Sequence, residues 1–329
     1  MKESLEHAPV LAQRVPSSSG KTLIILNPHA GSGRAGRLWS QIEPMLWREL
    51  GELVVAITQQ PNEVAPHLEN ARASGLTKVI AIGGDGTNHA IVNELVRLNQ
   101  AHPDEPKMTF GCLPIGTGQD WARSFGIPLD PVKAVAWIKG AHPVPIDIGH
   151  VDTNVINYNF LNIASIGISG EIARRVNNLR RRWPWSFYQK TVEALLWYNT
   201  PMVKVHLDGQ LWYDGKAYVV AVANGQSFGH GMLVAPNANS SDGLFDVVLL
   251  EGIPRLEAIR ALSTVYTGDH IKRSDVHVGR ARVVEVESAS GKLPMELDGE
   301  QESGGPVRFE VLPGMLPMLL NSAAEVAPA

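Results

Sequence analysis

The chain has one cysteine in 329 residues, Cys112, so no internal disulfide can form. Cys112 lies in an apolar run, where a thiol behaves as a small buried hydrophobe and not as a nucleophile. No stretch reaches the roughly 18 apolar residues of a membrane-spanning helix. The first twenty residues lack the apolar core of a secretory leader. The expected location is therefore cytoplasmic, with any membrane contact peripheral and at the inner membrane face. There is no basic excess either: 29 Lys and Arg stand against 33 Asp and Glu, for a formal net charge of −4. That balance excludes a general nucleic-acid binder. The phosphate loop GxxxxGK[ST] is absent. A literal GxGxxG is present from Gly31 to Gly36, but the next strand ends in Thr58-Gln59-Gln60. It lacks the acidic residue that would hold a ribose hydroxyl, which argues against a dinucleotide fold.

What is present suits a globular protein of two domains: 44% hydrophobic and 19% charged residues over a length long for one domain. Residues 1–20 are polar, with Ser17-Ser18-Ser19-Gly20, and read as a flexible tail. From 21 to 143, short apolar runs alternate with helical patterns. Strands are predicted at 22–26, 53–58, 78–82 and 108–113, and helices around 38–46, 63–74, 88–99 and 131–139. This alternation predicts a Rossmann-like parallel sheet with helices on both faces. In such a sheet the ligand lies beyond the carboxyl ends of the strands. Three glycine-rich turns follow strands here and so gather on one edge: Asn27-Pro28-His29-Ala30-Gly31, Gly83-Gly84-Asp85-Gly86-Thr87, and Pro114-Ile115-Gly116-Thr117-Gly118-Gln119-Asp120. Glycine lets backbone N–H groups close on an anion, and a helix N-terminus adds partial positive charge. Three cradles together suit an elongated polyphosphate. Asp85 makes sense there if a metal ion or a ligand hydroxyl stands between it and the phosphates.

From 144 to 313 strand-like segments dominate, at 145–151, 155–163, 202–207, 217–223, 245–250, 282–287 and 307–311. Asp208-Gly209 and Asp214-Gly215 read as hairpin turns. An antiparallel β-sandwich is predicted, interrupted by helical insertions at 170–198 and 255–266. Residues 314–329 read as a C-terminal tail whose apolar start packs back on the protein. Arg174-Arg175 and Arg180-Arg181-Arg182 lead into Trp183-Pro184-Trp185-Ser186-Phe187-Tyr188. Cations and interfacial aromatics in one excursion suit a membrane surface, and equally a solvated loop beside an aromatic cluster.

The three turns, with Asp242-Gly243-Leu244-Phe245-Asp246 and Asp298-Gly299-Glu300 in order behind them, resemble the diacylglycerol kinase catalytic-domain family. That family includes bacterial lipid kinases and the sphingosine and ceramide kinases. The resemblance spans about residues 20–313. It implies an ATP- and Mg²⁺-dependent kinase that phosphorylates a lipid hydroxyl at the membrane surface, with nucleotide in the cleft between the domains. Carried over, Asn27, Thr58, Gly83, Gly84, Asp85, Gly86, Thr87, Gly116 and Thr117 contact ATP, and Asp85 organises phosphates and metal. Glu300 is the general base, with Asp298 orienting beside it. A Mg²⁺ in the β domain is held by Asp242 with the carbonyls of Asn239 and Leu244. Two departures stand out. His89-Ala90 replaces the usual Asn-Glu, and Gln119 replaces Asn in the third turn. A homodimer is an expected assembly. The alternatives kept open are an NAD-kinase-like enzyme and a nucleotide- or lipid-binding protein without turnover.

Overall fold

The computed structural model describes residues 21–116, 118–177, 186–229, 231–289 and 291–321. The expected flexible tail at 1–20, Thr117, Arg180 to Trp185 and 322–329 lie outside them. In the N-terminal half, β1 (Thr22–Leu26), β2 (Leu53–Ile57), β3 (Lys78–Gly83) and β4 (Thr109–Pro114) form a parallel sheet in the order β2-β1-β3-β4. The strands are buried on both sides, and alternate residues go to opposite layers. Leu23, Ile25, Val79 and Phe110 pack with Leu68 of α2 (Val64–Ala73) and Ile91 and Leu95 of α3 (Asp85–Ala101). Ile24, Leu26, Ile80 and Leu113 pack with Ile42 and Leu46 of α1 (Ala30–Leu50) and Val135 and Ile138 of α5 (Pro131–Lys139). Cys112 is buried, and that burial pushes its thiol pKa upward, as expected of an inert thiol. Between β4 and α5 lies the short helix α4 (Asp120–Ser124).

The C-terminal half is antiparallel. One sheet runs β14 (Glu300–Gly304), β13 (Leu293–Leu297), β7 (Ile163–Gly167), β9 (Gln210–Ala223), β10 (Phe245–Glu251) and β11 (Val276–Ala281). The long β9 continues into the facing layer, pairing with β8 (Met202–Leu207), then β12 (Val283–Ser288), β15 (Val307–Leu320), β5 (His142–Asp152) and β6 (Asn157–Phe160). Phe160 joins the two layers, stacked on Phe245 and edge-on to Phe309. Outside the first layer pack α6 (Ile168–Asn177), α7 (Ser186–Trp197) and α8 (Arg255–Val265).

Three local expectations change. The run 155–163 is two strands, β6 and β7, broken at Leu161-Asn162. Asp214-Gly215 is not a turn: both lie within β9, where Asp214 pairs opposite Lys204. The hairpin turn is Asp208-Gly209 alone, with φ of 49° and 80°. Residues 314–320, expected in the tail, form the second half of β15. After a register shift between Leu312 and Leu316 the strand pairs with β5 and touches β4 in parallel through Met318 and Phe110. β15 thus belongs to both halves, and the expected boundaries at 143 and 313 fall within or beside paired strands. No helix among the described residues is long and apolar enough to cross a membrane.

Candidate active site

The carboxyl ends of β1, β3 and β4 face the β13–β14 hairpin across a cavity of about 880 Å³. The turns on the first side are packed backbone to backbone. A Cβ at Gly116 would lie 2.7 Å from Gly84 Cα, so that position tolerates only glycine. Asn27 Nδ2 donates to Thr87 Oγ1 at 3.2 Å, tying the first turn to the second. Of the residues assigned to the nucleotide, Asn27, Thr58, Gly84, Asp85, Gly86, Thr87 and Gly116 line the cavity. Gly83 stands behind it as the buried last residue of β3, its carbonyl accepting the Ile115 N–H at 2.8 Å.

Asp85 begins α3, where its carboxylate favours the helix dipole. Its Oδ2 accepts the Gln119 N–H at 2.9 Å. A Cβ at Gly118 would sit 2.7 Å from Asp85 Oδ2 and 3.7 Å from Asp120 Oδ2, so the two carboxyls flank that glycine. Burial, and then the charge of Asp120, push the Asp85 carboxyl up to about 6. Asp120 Oδ1 accepts the Gly231 N–H from the other half at 3.1 Å.

The opposite wall is the turn between β13 and β14. Asp298 and Gly299 are its two central residues, with φ of 51° and 93°. Asp-Gly suits this left-handed turn, and here it also aims chemistry. The Asp298 carboxylate accepts three backbone N–H groups: Leu161 at 2.6 Å, Asn162 at 2.9 Å and Ile163 at 3.2 Å. That explains the break between β6 and β7, since those N–H groups leave the ladder to hold Asp298. Glu300, the first residue of β14, reaches across the cleft. Its Oε1 lies 3.4 Å from where a Cβ on Gly86 would be. The structure therefore brings together Asp85, Asp298 and Glu300 as expected.

His89, one helical turn into α3, places Nδ1 3.7 Å from Asp298 Oδ2 and stands edge-on to Tyr158, ring centroids 5.3 Å apart. Asn93 fixes this part of α3 against β6: its Nδ2 donates to the Asn159 carbonyl at 2.9 Å, and its Oδ1 accepts the Asn159 N–H at 2.8 Å. The sequence departure at 89 thus faces Asp298 directly. Sequence reasoning also passed over Asp120 as a site group, over Glu296 in the cavity wall, and over an apolar wall made by Ile172, Ala173, Val176, Phe228 and Met232. The first three share a helical face with Ser169, a spacing visible in the sequence but hidden there by the nearby arginines.

The residues expected to hold a cation in the β domain lie away from the cavity, before β10. Asp242 Oδ1 accepts the Leu244 N–H at 3.1 Å, and Asp242 Oδ2 is paired with the Arg280 guanidinium. Asn239 Oδ1 accepts the Ser241 N–H at 3.1 Å. Arg280 also reaches the buried Asp246, with Nε 3.5 Å from its Oδ2. Arg280 thus stands beside both carboxylates, while Asp246 Oδ2 lacks a hydrogen-bond partner. Among the described residues no group of three His, Cys, Asp or Glu is placed to hold a metal ion.

Comparison with known proteins agrees with this geometry. Residues 21–151 match the diacylglycerol kinase catalytic domain, and 162–320 match the YegS C-terminal NAD kinase beta sandwich-like domain. A Pseudomonas aeruginosa protein named probable lipid kinase YegS-like is 32% identical over 277 residues, covering 82% of this chain and 85% of its own length. The chain belongs to the diacylglycerol kinase family. A Bacillus subtilis diacylglycerol kinase is 31% identical, covering 70% of this chain and 73% of its own. The crystal structure of a diacylglycerol kinase from Bacillus anthracis shares the fold, with a TM-score of 0.69 at 24% identity over 93% of this chain and 98% of that one. Membership makes the protein an ATP-dependent kinase, and the three glycine turns and Asp298-Gly299-Glu300 meet at the cavity between its halves.

Proposed function

We propose that this kinase transfers the γ-phosphoryl group of Mg²⁺-bound ATP to a hydroxyl of a diacylglycerol-like lipid drawn from a membrane surface. The observation that carries this reading is the mixed lining of the cavity. The three turns and the carboxyls supply its polar part. Ile172, Ala173, Val176, Phe228 and Met232 supply its apolar part, an environment for acyl chain and not for a second polar substrate.

The charge of the polar part supports a metal-bound nucleotide. Asp85, Asp120, Glu296, Asp298 and Glu300 line the cavity, and its described lining includes no lysine or arginine. A bare triphosphate would be repelled there. Asp85 and Asp120, the pair whose mutual charge already raises Asp85, are hard oxygen donors suited to Mg²⁺ shared with phosphates. The ion supplies neutralisation of phosphate charge. The backbone N–H groups of the turns position the phosphates. Glu300 takes the proton as the lipid oxygen bonds to the γ-phosphorus and the bond to the β,γ-bridging oxygen breaks, releasing ADP.

Filling the apolar part separates the two substrates. Ala173→Trp is expected to lower transfer to a long-chain acceptor at least about tenfold, the scale of a badly misfitted apolar pocket. ATP binding, followed by fluorescence of a nucleotide analogue, is expected to persist. Equal losses of ATP binding and transfer would contradict this placement of the acceptor.

A further inference from the structure

Glu296 is the buried member of the carboxyl cluster. It is 4% exposed, yet it lines the cavity from the β13 side. Its Oε1 accepts the N–H of Gly299, the second turn residue of the hairpin that presents Asp298 and Glu300. Its Oε2 lies 2.9 Å from Ser165 Oγ on β7, and Ser165 Oγ lies 2.7 Å from Ser169 Oγ at the start of α6. Ser169 itself reaches the cavity, one turn before Ile172 and Ala173 on the same helical face. A single row of oxygens therefore runs from the catalytic hairpin, through the protein interior, to the cavity wall beside Ile172 and Ala173.

Such a row has two proton arrangements. With Glu296 ionised, Ser165 donates to it, Ser169 donates to Ser165, and Ser169 has no proton left for the cavity. With Glu296 neutral, its own proton goes to Ser165, Ser165 donates to Ser169, and the Ser169 hydroxyl is free to donate into the cavity. The surroundings choose between them. The charged groups acting on Glu296 are Asp298 on its own hairpin and Asp120 across the cavity, both negative. The strand opposite presents Gln301. On α6, Arg174 and Arg175 are engaged by Glu171. His89 is drawn to Asp298. A buried carboxylate that faces like charges, with no cation beside it among the described residues, takes up a proton. Burial accordingly pushes its carboxyl up to about 8.

We propose that Glu296 is a positioning residue which, as a neutral acid, braces the Asp298-Gly299 turn and turns the Ser169 hydroxyl into a donor for the oxygen-bearing headgroup of the acceptor. Ser169 stands where such a headgroup sits if its chain lies along Ile172, Ala173 and Val176, so the headgroup part of this inference rests on the lipid reading above. Above about pH 8 Glu296 loses its proton, Ser169 turns inward, and acceptor binding weakens.

Glutamine reproduces the neutral acid, since its amide N–H donates to Ser165 and its carbonyl accepts from Gly299. The test is the pH dependence of the lipid KM in wild type, Glu296→Gln, Glu296→Ala and Ser169→Ala, with the KM for ATP measured beside it. The expected result is a lipid KM that rises above pH 8 in wild type and is flat in Glu296→Gln. At pH 7 the lipid KM is raised about tenfold in Glu296→Ala and Ser169→Ala, the scale of one lost polar contact, and restored in Glu296→Gln. The ATP KM moves little in all of them. The same alkaline rise in Glu296→Gln, or an unchanged lipid KM in Ser169→Ala, would overturn the proposal. A readout independent of any lipid is the carboxylic-acid infrared band assigned by difference between wild type and Glu296→Gln. Its presence at pH 7 supports the neutral acid, and its absence at pH 7, with the band appearing only below about pH 5, refutes it even if the acceptor proves not to be a lipid.

Discussion

Replacing Glu300 with glutamine is expected to lower kcat by about 10²–10⁴-fold, the usual worth of a positioned general base, while ATP still binds. The reason lies in where Glu300 sits. It is on the hairpin across the cleft from the glycine turns, with its Oε1 over Gly86. It is therefore close to the glycine cradle without belonging to it. Glutamine keeps the size and a hydrogen-bonding oxygen but cannot accept the proton of the attacking hydroxyl. Nucleotide affinity by calorimetry and single-turnover transfer from labelled ATP distinguish the outcomes. A variant with wild-type transfer would remove Glu300 from the role of base, and one that no longer binds ATP would make it a nucleotide contact.

Asp298→Ala is expected to be the most destabilising single change in the site, by about 3 kcal/mol or more. Removing this carboxylate leaves three backbone N–H groups, of Leu161, Asn162 and Ile163, without their acceptor. Each buried unsatisfied donor costs about 1–3 kcal/mol, partly relieved by entering water. Alanine is also disfavoured at φ 51°. Asp298→Asn keeps an acceptor oxygen and the tolerance for that conformation, so its loss is smaller. Urea unfolding of both variants against wild type checks the order. Equal stability of the alanine variant would mean that the break between β6 and β7 is held by something other than Asp298.

The nucleotide cradle was legible from sequence because a parallel sheet sends every strand end to one edge. Three glycine turns placed after three strands must therefore meet, and Asn27, Thr58, Gly84 to Thr87 and Gly116 do. Asp298 and Glu300 were legible as a motif, but their setting was not. Glu300 opens a short, polar strand, Glu300-Gln301-Glu302-Ser303-Gly304, which shows no clean alternation. Glu296 has no local signal in the sequence because its burial comes from β7 and α6, which lie more than a hundred residues away. Pro313-Gly314 reads as the end of a domain, yet β15 resumes beyond it. There the Gly314 N–H donates to the buried Asp147 carboxylate at 2.8 Å, so a turn signal is absorbed inside a strand. Arg280, which pairs with Asp242, has no local trace in the sequence, because its approach depends on the pairing of β10 with β11.

The most direct measurement is phosphoryl transfer from γ-labelled ATP to a panel of acceptors in mixed micelles with Mg²⁺: diacylglycerol, monoacylglycerol, sphingosine, ceramide and phosphatidylglycerol, with NAD as the water-soluble control. The account predicts labelled phospholipid from a diacylglycerol-like acceptor, abolished by removing Mg²⁺, and no label on NAD. Label on NAD, or no labelled lipid from any acceptor while ATP remains bound, would contradict it.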